Sequence, residues 1–350
     1  MDFLPVAPLI ATGCIIVLLK LCIYLTYGFH RLQQGDYMNT KETIDAILAE
    51  TEKAVLGKED VLKHILTAIV AGGHILIDDI PGVGKTTIAI AFTKVLGLQY
   101  KRMQFTPDVL PSDITGFSMY DKSSGTFRYV PGSAMTNFFL ADEINRASPK
   151  TQSALLEVMQ EGKLSVDGKT YAVPQPFIVM ATQNPFGSSG TQELPESQTD
   201  RFMISITVGY PSKENEIEIL KGEKRSLAES LQPVITADTL LSLQKEAAAI
   251  HVEDRLYGYM VDLAKATRNH PDIALGISPR GTMSLAAMTK SHALMEGRSY
   301  ATPDDVLAVV PYTLSHRISL TGDARFAGKT ASSVLKEITT SIPLPPLGNE

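Results

Sequence analysis

At 350 residues the chain is long enough for about two domains of ordinary size, each able to bury its own core. A net charge of −6 argues against a dominant nucleic-acid surface. The two cysteines, Cys14 and Cys22, both lie in an apolar N-terminal stretch. They point to neither a disulfide framework nor a metal site, and the cysteine-free remainder suits a reducing cytosol.

Residues 3–29 are an apolar run, broken mainly by Lys20 and long enough to cross a hydrocarbon core. A lysine near its middle costs roughly 2.5–3.5 kcal/mol on insertion scales unless it snorkels or pairs. A cleaved signal peptide fits less well, because Asp2 stands where a cationic start belongs and no small-x-small site follows. His30 and Arg31 place the C-terminal side in the cytoplasm. Residues 1–37 therefore read either as a membrane anchor or as the product of a mis-assigned start, with Met38 the true one.

From Thr40, apolar residues at helical spacing predict two amphipathic helices, marked by Ile44, Ile47 and Leu48 and then by Val61, Leu62, Ile65, Leu66 and Ile69. Gly57-Lys58 between them reads as a helix connector, or as the border of an adenine pocket. His74-Ile75-Leu76-Ile77 reads as a buried strand. It feeds Asp79-Ile80-Pro81-Gly82-Val83-Gly84-Lys85-Thr86-Thr87, a phosphate-binding loop, and a helix from Thr86 to about Gly97 follows. Glycines let backbone N–H groups point at phosphate oxygens, Lys85 brings positive charge to the β/γ-phosphates, and the Thr86 hydroxyl can reach Mg²⁺. The positive end of the following helix aims at the same anion. Asp79 replaces the first glycine of the usual pattern. That position lies at the strand end rather than against phosphate, so the substitution reads as neutral.

Residues 100–105 predict a second strand. The density of Pro and Gly over 106–132 predicts an elaborated loop or hairpin. Residues 137–143, Asn-Phe-Phe-Leu-Ala-Asp-Glu, read as an apolar strand ending in two carboxylates. There Asp142 can hold the Mg²⁺ water shell and Glu143 can polarise an attacking water. Ser148-Pro149 is a helix start, with an N-cap and proline at N1. Residues 163–173 predict a hairpin turning at Asp167-Gly168. Residues 176–182 predict another buried strand, ending at Gln183-Asn184-Pro185, where the Asn184 amide could hold a water or the γ-phosphate or simply serve the turn. Beyond Tyr210-Pro211 the pattern is wholly helical, with N-cap signals at Thr236 and Thr302. His251, His270, His292 and His316 show no metal-ligand spacing.

Taken together, residues 79–87, 140–147, 181–185, 194–202 and 278–281 resemble, in sequence and order, the MoxR family of AAA+ ATPases. The segments 104–116 and 140–157 carry most of that resemblance, which spans about residues 40–325. It implies an α/β fold: a P-loop AAA+ parallel sheet covered by helices over 38–211, a small all-helical lid over 212–330 and a C-terminal tail over 331–350. It implies ATP and Mg²⁺ at the loop residues Pro81, Gly82, Val83, Gly84, Lys85, Thr86 and Thr87, with Thr86 and Asp142 on the metal. Glu143 would serve the hydrolytic water and Asn184 would be the first γ-phosphate sensor. Arg201, in Leu194-Pro-Glu-Ser-Gln-Thr-Asp-Arg-Phe202, resembles an arginine finger given to the neighbouring subunit, and Arg280, in Ser278-Pro-Arg-Gly281, resembles a second sensor on the lid. Arg146 and Arg317 could line the cleft or a subunit boundary, but solvated helix-surface positions are the plainer reading.

The resemblance implies an ATP-hydrolysing, chaperone-like motor assembled as a homo-oligomeric, hexameric ring. It would be cytoplasmic, with any membrane association made through residues 3–29, and would work with a von Willebrand factor A-domain partner and no nucleic acid. A nucleotide-dependent switch or scaffold with little turnover is the alternative, and a nucleic-acid motor a more remote one. The absence of an Asn-Lys-x-Asp motif argues against a GTPase.

Overall fold

The apolar runs expected near residues 75, 140 and 180 lie side by side in one sheet of the computed structural model, which describes residues 39–184, 194–221 and 227–346. The apolar run at 3–29 lies outside the described residues, and among those described no helix is long and apolar enough to cross a membrane. From Thr40 onward the chain forms one compact unit.

Helices Thr40–Glu52 and Glu59–Val70 lead into β1 (Ile75–Asp78), followed by helix Lys85–Val95 and β2 (Tyr100–Gln104). A short helix, Pro111–Thr115, precedes the antiparallel hairpin of β3 (Gly116–Asp121) and β4 (Thr126–Pro131). β5 (Phe138–Asp142), helix Pro149–Glu161, the hairpin of β6 (Lys163–Val166) and β7 (Lys169–Ala172), β8 (Ile178–Gln183) and β9 (Ile204–Ile206) complete the α/β part. The main sheet runs β2-β5-β8-β1-β9, and all of its pairs are parallel. Both faces are covered, so residues 75–77 of β1, 138–141 of β5 and 178–181 of β8 are apolar without alternating, and polar residues enter only at the C-terminal ends.

Strand periodicity divides the core in two. Ile75, Ile77, Phe138, Leu140, Ile178 and Met180 face one side, with Ile65, Ile69, Ile88 and Phe92 from the preceding helices. Leu76, Phe139, Ala141, Val179 and Ala181 face the other, with Leu155 of helix Pro149–Glu161 and with Phe105 and Ile114. Ser148 caps that helix through the Thr151 N–H, and Pro149 opens it. The β6–β7 turn sits at Asp167 (φ 48°) and Gly168 (φ 74°), the left-handed pair that a two-residue hairpin needs.

After Pro211 come helices Lys213–Leu220, Ala237–Ala249, Asp254–Asn269, Pro279–Met295 and Pro303–Leu314. Pro279–Met295 also packs on Glu59–Val70, so the helical part rests on the α/β part through a shared layer. The region is not wholly helical. β10 (Ile273–Leu275) and β11 (Ser319–Leu320) form a small antiparallel pair, too short to give a readable alternation. The segment read as a tail from residue 331 opens with helix Ala331–Ser341, which buries Val334, Leu335 and Ile338.

Candidate nucleotide site

The phosphate loop leaves the C-terminal end of β1 and turns into helix Lys85–Val95. Gly82 (φ +90°) and Gly84 (φ +93°) adopt angles that L side chains rarely take, which is why glycine is needed there although a Cβ would meet open space. Gly84 is the N-cap residue and no side chain caps the helix. The first-turn N–H groups are thus left for an anion. Lys85 lies over this opening, its Nζ donating to Asp79 O (2.6 Å) and Gln183 O (3.5 Å). Burial pushes its ammonium below the ordinary lysine range, while Asp79, Asp142, Asp78 and Glu143 oppose that fall.

Asp142 ends the fully buried strand β5 and is itself 6% exposed. Its Oδ2 accepts from Arg102 Nε (2.6 Å) and its Oδ1 from Thr182 Oγ1 (3.4 Å). Glu143 follows with φ 55°, a strained left-handed position for a non-glycine residue. Its N–H donates to Thr182 Oγ1 (2.9 Å) and its Oε2 takes Arg146 Nη1 (2.6 Å). Asn145 Nδ2 donates to Asn184 O (3.3 Å), joining the end of β5 to the end of β8. Lys85, Thr86, Asp142, Glu143 and Asn184 therefore gather at the C-terminal ends of three adjacent parallel strands, where open α/β sheets hold ligands. An uncapped helix start, an ammonium, a hydroxyl and a buried carboxylate make a donor set that fits a nucleotide phosphate chain and a hard cation such as Mg²⁺.

Three contributors escaped the sequence reading. Arg102 is two residues from Gln104, which pairs with Asp142 in the β2–β5 register, and it reaches the carboxylate diagonally across the strands. Only the alternation of Tyr100, Arg102 and Gln104 along β2 could have signalled it. Thr182 sits one residue inside a strand read as core. Asp79 is 5% exposed, and its carboxylate accepts from Ile80 N, Val208 N and Gly209 N, each at 2.7 Å. A residue read as a neutral departure from pattern thus holds three backbone N–H groups.

A family model described as "ATPase family associated with various cellular activities (AAA)" matches residues 74–204, and one described as "AAA lid domain" matches residues 265–338. The uncharacterised protein YeaC of Bacillus subtilis is 45% identical over 84% of this chain and 92% of its own length. Chaperone MoxR1 of Mycobacterium tuberculosis is 39% identical over 87% of this chain and 82% of its own. The chain belongs to the MoxR family of AAA+ ATPases. A crystal structure from Cytophaga hutchinsonii, of a protein assigned as an ATPase, superposes with a TM-score of 0.82 at 33% identity, covering 88% of this chain and 96% of the other.

In this MoxR-type ATPase the two remaining candidate arginines lie elsewhere. Ile75 of β1 stands opposite Ile204 of β9, and the strands are parallel. Arg201, just before β9, is therefore at the N-terminal edge of the sheet, the length of β1 or about 13 Å away from the edge that carries Lys85. Arg201 Nη1 donates to Leu156 O (3.1 Å), while its Nε is buried with no partner among the described residues. Asp200 beside it accepts from Ser278 Oγ and Arg317 Nε, both at 2.9 Å. Ser278 caps helix Pro279–Met295, which presents Arg280, exposed, on the same side.

Arg317 is not a surface residue. It is 5% exposed and also bonds Phe202 O, Met203 O, Thr313 O and Ser284 Oγ, so it pins the Arg201 segment to the lid. Burial brings its guanidinium down to about 10, with Asp200 opposing the fall and Arg280 adding to it.

Proposed function

We propose that the chain binds ATP with Mg²⁺ and hydrolyses it as one subunit of a ring, using the cycle to remodel a partner protein. The observation that carries this reading is the meeting of the uncapped Lys85 helix with Asp142 and Glu143 at neighbouring strand ends. Backbone N–H groups of residues 82–87, with Pro81 shaping the turn, and the Lys85 ammonium would hold the phosphates. Thr86 and Asp142 would hold Mg²⁺, which when bound supplies positive charge against the β- and γ-phosphate oxygens. Glu143 would orient a water and take its proton, and Asn184 would sense the γ-phosphate. The division into an ATPase part over 38–211 and a lid over 212–330 follows the same reading. The chaperone name of the Mycobacterium tuberculosis relative supports a role on other proteins, and a von Willebrand factor A-domain protein is the partner type that reading implies.

Glu143→Gln keeps the shape of the side chain but cannot accept the proton, so it should bind ATP and slow hydrolysis by about 10²–10⁴-fold. Lys85→Ala should lose binding, because it removes the charge aimed at phosphate. Unchanged turnover in Glu143→Gln would remove that residue from its role. A second reading, a switch with little turnover, draws on the two resting ion pairs that hold Asp142 and Glu143 on Arg102 and Arg146. Steady-state hydrolysis by the wild-type chain separates the two.

A further inference from the structure

We propose that Asp79 is a positioning residue that couples the state of the phosphate loop to the linker entering the lid; the proposal rests on the nucleotide-binding reading above. Asp79 stands where the loop pattern has glycine, yet nothing in its backbone asks for glycine. Among the described residues only Glu143 and Asp167 hold a positive φ without being glycine. What distinguishes Asp79 is its side chain, which is enclosed and divided between two segments far apart in sequence. Oδ1 takes the N–H of Ile80 within the loop. Oδ2 takes those of Val208 and Gly209, which follow β9 and lead through Tyr210-Pro211 into helix Lys213–Leu220.

Bonds from N–H to a carboxylate are roughly twice as strong as those between neutral partners, so this is a firm tie. Gly209 at φ +68° supplies a backbone position able to change angle beside it. The linker is held from a second side, where Lys58 Nζ donates to Tyr210 O (2.8 Å) and Gly57 lies so close to Asn215 that a Cβ would come within 2.0 Å of its amide.

The same residue meets the nucleotide side through its carbonyl, which accepts the Lys85 ammonium. Lys85 holds Asp79 O closely and Gln183 O more loosely, and a phosphate oxygen drawing the ammonium toward itself loosens the hold on Asp79 O. The peptide released by Lys85 is continuous with the carboxylate that grips Val208 and Gly209. A change in what Lys85 holds is thus delivered to the linker without any contact between nucleotide and lid. A glycine at position 79 would keep the phosphate cradle and lose this connection.

Hydrogen–deuterium exchange on the full chain tests the proposal, with mant-ATP fluorescence in Mg²⁺ first establishing binding. In the wild type, amides over 206–211 should change their exchange on addition of ATPγS. Asp79→Asn has one oxygen for three donors, so that response should shrink by about fivefold or more. Its kcat should fall roughly tenfold while KM and mant-ATP affinity stay near wild type, a split that simple loss of fold would not give. If the wild type binds mant-ATP but the 206–211 amides ignore ATPγS, the coupling is overturned without any variant. An Asp79→Asn protein that keeps the wild-type response overturns it equally. Failure of the wild type to bind mant-ATP at all would sink the nucleotide reading, and the coupling with it.

Discussion

Asp142 and Glu143 face the same phosphate loop, and each is held by a guanidinium, Asp142 by Arg102 and Glu143 by Arg146. Arg102 is about half exposed and Asp142 nearly enclosed, so the pair is partly screened and worth on the order of 1 kcal/mol. A cation approaching Asp142 must compete with that contact. Arg102→Ala should therefore lower the Mg²⁺ concentration giving half-maximal ATPase activity, by about fivefold, because 1 kcal/mol is close to that factor. A magnesium titration of both proteins checks it, and a higher Mg²⁺ requirement in the variant would show that Arg102 supports the site rather than competing for it. At this scale the motif residues were legible because their chemistry is local: Gly82-Val83-Gly84-Lys85-Thr86 is one turn of chain. Arg102, Thr182 and Asp79 were not legible. Their partners are fixed by strand register and by the chain after β9, neither of which any short stretch of sequence contains.

Among the elements, those whose pattern and end signals agree were readable. The β6–β7 hairpin was announced by Asp167-Gly168 and helix Pro149–Glu161 by Ser148-Pro149. The small β10–β11 pair offered no such pattern, and the helix of residues 331–341 lay past the point where the family resemblance faded. Two elements carry predictions about stability. His74, before β1, accepts from Val179 N at Nδ1 (3.1 Å) and meets Met159 O through Nε2 (2.9 Å), stapling β8 to helix Pro149–Glu161 in its neutral form. A proton on Nδ1 would point at another N–H. Burial pushes His74 below the usual histidine range and takes His316 well below it, helped there by Arg317. With folded values lowered, the unfolded chain takes up these protons first, so stability is lost as pH falls below about 6.5. The slope is at most about 1.4 kcal/mol per pH unit for each histidine that stays neutral. The thermal midpoint should thus be lower at pH 5.5 than at pH 7.5, and His74→Gln should narrow the gap; equal midpoints would contradict the staple. In the lid, Asp305 is 1% exposed and accepts from His292, from Arg298 and from Thr302 at the start of helix Pro303–Leu314. Burial alone would raise its carboxyl, but these donors outweigh it and hold the group well below the usual carboxylate range. Asp305→Ala leaves the partly exposed Arg298 without its carboxylate and the helix start at Thr302 without its bond, and should cost about 1–3 kcal/mol. A calorimetric loss under 1 kcal/mol would place the knot among ordinary surface pairs.

For the whole molecule, the decisive feature is that the residues read as one site lie on opposite edges of its sheet. The phosphate loop, Asp142, Glu143 and Asn184 lie at the C-terminal strand ends, while Arg201 and Arg280 lie at the other edge with Asp200, Ser278 and Arg317. The sequence reading named the loop, Asp142, Glu143, Asn184, Arg201 and Arg280 together but passed over Asp200 and Arg317, because order along the chain does not say which edge of a sheet a residue reaches. If Arg201 completes the site of the next subunit, a monomer cannot be fully active. An arginine supplied in this way contributes about 10³–10⁵ in rate by stabilising charge in the transition state. Neither Arg201→Ala nor Glu143→Gln should hydrolyse ATP well alone. Mixed together, the Glu143→Gln subunit still offers its arginine and the Arg201→Ala subunit still offers its carboxylate, so some interfaces hold a complete pair and activity should partly return. Were Arg201 only a brace for its own helix Pro149–Glu161 through Leu156 O, mixing would restore nothing and the Arg201→Ala defect would appear as a lower thermal midpoint. Exchange of labelled subunits between the two variants, shown first by energy transfer, makes the absence of recovery decisive against the shared site.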